Sequence, residues 1–135
     1  MGTQQLLLIA IGVVLVGIMI AIGIFMFRDQ AAATNRDSIS ADLVQIAAVA
    51  QKYYRRPETF GGGGSSFKGL TLSKLTSKPV NANGTYALSP AGPLPPGTSS
   101  ITIIGTGKEL GDDGATGVTL TMTVMADSIL LVANN

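Results

Sequence analysis

The sequence contains no cysteine, no histidine and no tryptophan, and these absences exclude several kinds of function. Without cysteine the chain cannot form a disulfide, a thiolate metal site or a thiol nucleophile. Without histidine it lacks the side chain that most often serves as a general base or binds a transition metal. We find no combination of acid, base and nucleophile typical of an active site. The sequence therefore predicts a protein that is not an enzyme and that binds no cofactor.

Charged residues are also scarce. They make up 13% of the 135 residues, whereas about 25% is usual for soluble proteins. The net charge of +1 gives no indication of nucleic-acid binding, and no basic cluster exists beyond Lys52, Arg55 and Arg56. Hydrophobic residues reach 46%, and much of this excess lies in the first 27 residues. At this length, one small domain can accompany an apolar segment.

Residues 6–27, LLLIAIGVVLVGIMIAIGIFMF, form an apolar run without a charge, an amide or a hydroxyl. As an α-helix the run would be about 33 Å long, enough to cross the hydrocarbon core of a bilayer. Apolar residues lie on all sides of this helix, so it must be surrounded by lipid or by other apolar helices. A secretory signal fits poorly, because no basic residue precedes the run and the run is longer than the usual h-region.

The helix is predicted to continue to about residue 56, because residues 28–56 contain neither proline nor glycine. Pro57 disfavours a helical conformation at the residue before it and ends the helix. Within this extension, apolar residues recur at steps of three and four, which predicts one face packed on a core. This stripe consists of Ile39, Leu43, Ile46, Ala47, Ala50 and Tyr53 or Tyr54.

The C-terminal half has the pattern of strands separated by loops rich in glycine and proline. Residues 118–125 alternate apolar and threonine side chains, which predicts a half-buried strand. Further strands are predicted at 85–89, 99–106 and 128–133, with turn-rich loops at 90–97 and 108–117. We expect the strands to form an antiparallel sheet whose apolar face packs on the helix. The predicted helix-to-sheet core consists of Ile39, Leu43, Ile46, Ala50, Leu120, Met122 and Val124.

The predicted fold is therefore α+β, a long N-terminal helix packed on a small antiparallel sheet. We divide the chain into an apolar helix at 1–27, which needs lipid or other apolar helices around it, an amphipathic extension at 28–56 and a β-rich head at 57–135. The head begins with a glycine-rich loop at 60–66. This loop lacks the Lys-Ser or Lys-Thr and the following helix of a phosphate-binding P-loop. It could be a flexible linker, but the part after it is too short to stand alone, so we interpret it as an ordered loop of one domain.

Two short motifs have a functional interpretation beside a structural one. Asp112 and Asp113, with Glu109 nearby, offer carboxylates to a metal ion. Their spacing matches no EF-hand, so a solvated turn is favoured and we predict no metal site. Asn83-Gly84-Thr85 is a formal glycosylation acceptor, although a tight turn also explains this tripeptide.

The order of these parts resembles that of the type IV pilins and pseudopilins: an apolar N-terminal helix, its amphipathic extension, a glycine-rich loop and antiparallel strands. The resemblance covers the whole chain in architecture and about the first 27 residues in sequence. In that family a basic leader is removed, and MGTQQ resembles the uncharged end that remains. The family usually carries a glutamate five residues into the mature chain, where this chain has Gln5. Many members also have a proline in the apolar helix and paired cysteines, which this chain lacks.

The resemblance implies a structural subunit of a type IV pilus-like extracellular filament, polymerised through its apolar helix. The implied partners are further copies in a helical polymer, the inner membrane before assembly and the pilus assembly machinery. The implied location is the bacterial cell surface. The alternative is a single-pass membrane protein or secretion-system pseudopilin whose small β head binds a partner. The predicted interface between copies consists of Gln5, Leu6, Ile9, Val13, Val16, Ile20, Ile24 and Phe27.

One of the two glutamines that precede the apolar run is expected to form a hydrogen bond at this end of the helix. An amide avoids most of the desolvation cost of a buried carboxylate and can still accept a hydrogen bond. We therefore expect Gln4 or Gln5 to bond across subunits or to the amine of Met1.

Overall fold

The computed structural model describes residues 2–135, which form an α+β fold, as the sequence predicts. The strands pair in the order β1-β2-β3-β4, each antiparallel to its neighbour. In chain order the elements are helix α1 (Gly2–Arg55), a 3-10 turn (Glu58–Phe60), helix α2 (Leu72–Leu75) and strands β1 (Gly84–Ser89), β2 (Ser100–Leu110), β3 (Gly117–Met125) and β4 (Ile129–Ala133).

The chain divides into two compact units, Met1–Ala31 and Ala32–Asn135. In the first unit, none of residues 2–31 is buried. Its apolar segment reaches a mean hydropathy of 3.1 over 18 residues. The N-terminal helix is therefore long and apolar enough to span a membrane. We call residues 6–27 the apolar segment and Ala32–Asn135 the globular unit.

In the globular unit, helix α1 buries one face against the sheet. Residues of this face recur at steps of three and four, the spacing that aligns side chains along one side of a helix. Between them Val44 and Val49 remain exposed. At Gly105 of β2 the helix approaches so closely that an added Cβ would lie 2.6 Å from Cγ2 of Ile39. The buried helical residues are Ala32, Ile39, Leu43, Ile46, Ala47 and Ala50.

The sheet presents the other half of the core. Strand β3 buries every second residue, because successive side chains of a strand point to opposite faces. Strands β1 and β2 follow the same alternation over most of their length. The buried side chains of the three strands are Tyr86, Leu88, Ile101, Ile103, Val118, Leu120, Met122 and Val124.

The predicted end of the second strand is wrong. Strand β2 continues to Leu110, so the loop predicted at 108–117 begins later than expected. The register of β2 and β3 shifts between Thr106 and Leu110, and pairing resumes at Leu110 with Gly117. Such an irregularity interrupts the alternation of buried and exposed residues, which is why the pattern of residues 107–110 does not indicate a strand. Helix α1 ends at Arg55, in agreement with the predicted end at about residue 56, and the remaining strand ends lie within one residue of prediction.

The glycine-rich loop caps the C-terminal end of α1. The N–H groups of Gly63, Gly64 and Ser65 donate to the carbonyls of Tyr53, Arg56 and Tyr54 at 2.9, 3.0 and 2.9 Å. The last carbonyls of a helix have no partner inside the helix, so these bonds help to satisfy them. The carbonyl of Tyr53 also accepts a hydrogen bond from the N–H of Arg56 at 3.3 Å. At Gly63 an added Cβ would lie 1.8 Å from the carbonyl oxygen of Ser66, so only glycine fits.

The loops also complete the core. Phe67 is fully buried, and its ring lies 4.9 Å from that of Tyr54 between centroids. Leu70 and Leu75 come from the same connection, and Leu94 comes from the proline-rich loop between β1 and β2. The segments that connect α1, β1 and β2 therefore contribute buried side chains to the core of the globular unit.

Candidate functional site

The apolar segment is the most exposed hydrophobic surface of the described residues. The seven apolar residues predicted at the interface between copies are 55% to 75% exposed. Gln5 is exposed as well, and the amine of Met1 lies outside the described residues. Burial of apolar area stabilises by about 25 cal/mol per Å², so a segment of this kind favours an apolar environment strongly. The seven residues are Leu6, Ile9, Val13, Val16, Ile20, Ile24 and Phe27.

Glycines provide places on this segment where another helix can come close. At Gly12, Gly17 and Gly23 an added Cβ would meet nothing within 4 Å. Gly12 and Gly23 are separated by three helical turns and differ in direction by about 20°, whereas Gly17 points elsewhere. Small residues allow close contact between helix backbones in apolar surroundings. The segment therefore offers two sides for close helix packing.

In the globular unit, a polar cluster joins α1 to the segment that precedes β1. Oδ2 of Asp42 accepts hydrogen bonds from the hydroxyl of Tyr86, from Nδ2 of Asn81 at 2.9 Å and from Nδ2 of Asn83 at 2.8 Å. Nδ2 of Asn35, two turns earlier on α1, donates to the carbonyl of Asn83 at 2.8 Å. Three groups converge on one carboxylate oxygen, so Asp42 fixes this segment to the helix.

The cluster shifts the pKa values of both of its titratable side chains, Asp42 and Tyr86. Burial alone would raise the pKa of Asp42, but the bonds from Tyr86, Asn83 and Asn81 outweigh it and lower that pKa from 3.8. Burial and the bond to the neighbouring Asp42 carboxylate raise the pKa of Tyr86 well above its ordinary value. Asp42 is therefore charged and Tyr86 neutral near neutral pH, which suits a structural tie between the two.

A cavity of about 250 Å³ lies beside this cluster, and Gln45, Leu75 and Lys78 contribute to its walls together with Asp42 and Tyr86. The Tyr86 hydroxyl and one oxygen of Asp42 are already bonded to each other. The arrangement therefore presents no free pair of base and nucleophile among these side chains.

The structure also gives local roles to both short motifs. The side-chain amide of Asn83, which a glycan would modify, donates to Asp42 and is half-buried. Attachment of a glycan would break this bond.

The carboxylates of the two acidic residues after β2 are bonded to other groups of the protein. Oδ1 of Asp112 lies 3.2 Å from Nη2 of Arg36. Asp113 accepts bonds from the hydroxyl of Thr116 and from the N–H groups of Thr116 and Ala115, which lower its pKa to about 2. Across residues 2–135 no three His, Cys, Asp or Glu residues are grouped as a metal site requires. The two carboxylates thus stabilise a turn and a contact to α1.

All seven residues predicted for the helix-to-sheet core lie in one buried cluster. The sequence did not indicate the cluster around Asp42. Its partners lie 39 to 44 residues away along the chain, and the sequence predicted only a tight turn at Asn83-Gly84-Thr85. No protein-family model, curated protein or solved structure matches this chain.

Proposed function

We propose that this protein is the structural subunit of a type IV pilus-like extracellular filament, assembled through its apolar segment. Copies are inserted in the inner membrane before assembly, and the pilus assembly machinery moves them into a helical polymer at the bacterial cell surface. In the polymer, the apolar segments pack against one another, and the globular units form the outer layer.

The observation that carries this proposal is the exposure of the apolar segment on every side. A helix with one apolar stripe needs one partner, whereas a helix that is apolar all round needs neighbours in every direction. Lipid supplies such neighbours in a membrane, and other copies supply them in a polymer. The glycines at 12, 17 and 23 leave space for close approach on two sides, which favours helix neighbours.

The second candidate is a single-pass anchor, or a secretion-system pseudopilin, whose globular unit binds a partner. The length and hydropathy of α1 satisfy the requirement for an anchor equally well. The cavity beside Asp42 is the feature that favours partner binding.

Substitution of Val14 by Asp tests the filament. Val14 is 60% exposed and lies in the middle of the apolar segment. A charge there costs several kcal/mol in an apolar environment, so we expect filament yield to fall at least about tenfold. Electron microscopy of sheared surface filaments and a membrane-fraction immunoblot would separate failed assembly from failed insertion.

Val14→Leu and Ala91→Asp are the matched controls. The first keeps the segment apolar, and the second places the same charge on an exposed loop of the globular unit. Both should assemble at normal yield. Normal filaments from Val14→Asp would contradict a polymer built around this segment, and an inserted wild-type protein that never forms fibres would favour the anchor.

A further inference from the structure

The two edges of the sheet are protected to very different degrees. The edge at β1 is covered by the preceding segment: the N–H of Tyr86 donates to the carbonyl of Pro79 at 2.8 Å, and Val80 forms a bridge with Thr85. The edge at β4 has no such cover among the described residues. Natural proteins usually protect an open edge with proline, lysine, a bulge or an overlying loop. Residues 128–134, SILLVAN, contain neither proline nor a charge.

The hydrogen-bond pattern shows which backbone groups of β4 are open. The N–H of Asn134 donates to Thr119, and the N–H of Met125 donates to Ser128. Hydrogen-bonded pairs alternate along an antiparallel ladder, so Leu130 and Val132 direct their backbone groups toward β3. Ile129, Leu131 and Ala133 must therefore direct theirs to the open edge.

The side chains of β4 are apolar on both faces of the sheet. Ile129 and Leu131 lie opposite the buried Val124 and Met122, yet they are 40% and 39% exposed. Leu130 and Val132 lie on the outer face and are 59% and 47% exposed. A strand that pairs with this edge must therefore be apolar on both of its own faces.

We propose that β4 pairs in antiparallel fashion with β4 of a second copy, which joins two globular units through one continuous eight-stranded sheet. In this register Leu131 of each copy lies opposite Leu131 of the other, and Ile129 lies opposite Ala133. The unpaired backbone N–H and C=O groups of these three residues can then form hydrogen bonds with each other across the two copies. Leu130 faces Val132, so apolar side chains also meet on the outer face. Among two-fold registers, this is the one in which all five residues of β4 are paired.

This contact goes beyond the proposed filament. The two-fold axis of an antiparallel pair that continues one sheet is perpendicular to that sheet, so it reverses the direction of a helix packed along the sheet, whereas copies within one helical polymer all have the same direction. The β4 contact therefore links globular units of different filaments, or of dispersed subunits. Five paired residues make an interface well below the roughly 1,200 Å² of stable complexes, so the association is weak and reversible.

Disulfide trapping in the full-length protein, dispersed in detergent, tests this register. The chain has no cysteine, so a single introduced cysteine reports one position. In Leu131→Cys the two Cα atoms would be about 5.5 Å apart, within the range of a disulfide. In Ala133→Cys they would be about 14 Å apart, which is beyond that range. Thr85→Cys places a cysteine on the covered edge.

After mild oxidation, we expect Leu131→Cys to form dimers at least about tenfold faster than Ala133→Cys or Thr85→Cys. A mixture of Leu130→Cys and Val132→Cys should also give dimers, whereas neither protein alone should, and this pair tests the register without altering Leu131. Equal rates at all positions, or no dimer from both Leu131→Cys and the mixture, would overturn the proposal.

Discussion

Helix α1 contains two apolar stretches in opposite surroundings. Residues 6–27 are exposed on all sides, whereas Ile39 and Leu43 are fully buried against the sheet. The residue types are similar, so hydrophobicity alone does not explain the difference. In the second stretch, polar residues such as Ser40 and Asp42 interrupt the pattern and leave one apolar stripe, which a single sheet can cover. The sheet of the same chain covers the second stretch, whereas none of the described residues buries the first.

The largest effect that sharpens this comparison is expected from Leu43→Ala. The side chain is fully buried, and its removal should lower the free energy of unfolding of the globular unit by about 2–5 kcal/mol. All three tyrosines lie in this unit and the chain has no tryptophan, so the tyrosine band in near-UV circular dichroism of the full-length protein follows the unfolding of this unit.

Two controls separate the stretches. Val44→Ala, at a neighbouring residue that is 50% exposed, should change this free energy by less than about 1 kcal/mol. Leu15→Ala in the apolar segment should leave it unchanged. A loss from Leu15→Ala as large as that from Leu43→Ala would mean that the two stretches are not energetically separate.

A smaller effect is expected from Asp42→Asn, which weakens the hydrogen bonds between α1 and the segment before β1. The apolar segment has no comparable polar cluster. Loss of the charge that receives three hydrogen bonds should cost about 1–2 kcal/mol near pH 7. Since the pKa of Asp42 is lowered by folding from 3.8, its contribution is present above that value and is lost as the pH falls through the lower, folded pKa.

Denaturant unfolding of wild type and Asp42→Asn from pH 7 to pH 3 measures this dependence. The difference in free energy of unfolding should stay constant down to about pH 4 and shrink below it. Asp37→Asn, at an exposed position on the same helix, provides the control and should match wild type throughout. If the difference in free energy of unfolding between the two proteins grew as the pH falls, the stabilising role described for the charged Asp42 would be contradicted.

The smallest effect is expected from Gln5→Ala, at the polar end of the first stretch. If packing of the apolar segment fixes the register of copies, the loss of one amide costs about 0.5–1.5 kcal/mol of assembly free energy. The subunit concentration at which filaments form should then rise by roughly two- to tenfold. A complete loss of filaments at normal protein levels would instead identify Gln5 as an obligatory docking contact.

Periodicity alone predicted much of this fold. The steps of three and four after Ser38 and the strict alternation of residues 118–125 placed the helix and strand β3, because each pattern reflects one local geometry. The core positions of Phe67 and Leu94 were not predicted, since each is a lone apolar residue in an irregular loop and its burial depends on distant contacts. The Asp42 cluster escaped prediction for the same reason.

The sequence pattern also did not predict that β4 has an open edge. Residues 128–133 predict a strand, but no local pattern tells whether a strand lies inside a sheet or at its edge. The same apolar sequence would be typical of a central strand buried on both faces. Only the strand order places it last, beside β3 alone.

The order of the sheet also determines when each part of the chain finds its partner during synthesis. Every strand pairs with the next one along the chain, so each hairpin can close within about 1–10 μs of leaving the ribosome. The stripe on α1 is made first and must wait for β3, about 80 residues later, which at 5–20 residues per second takes roughly 4–16 s. The period during which this stripe can aggregate is therefore set by the rate of translation.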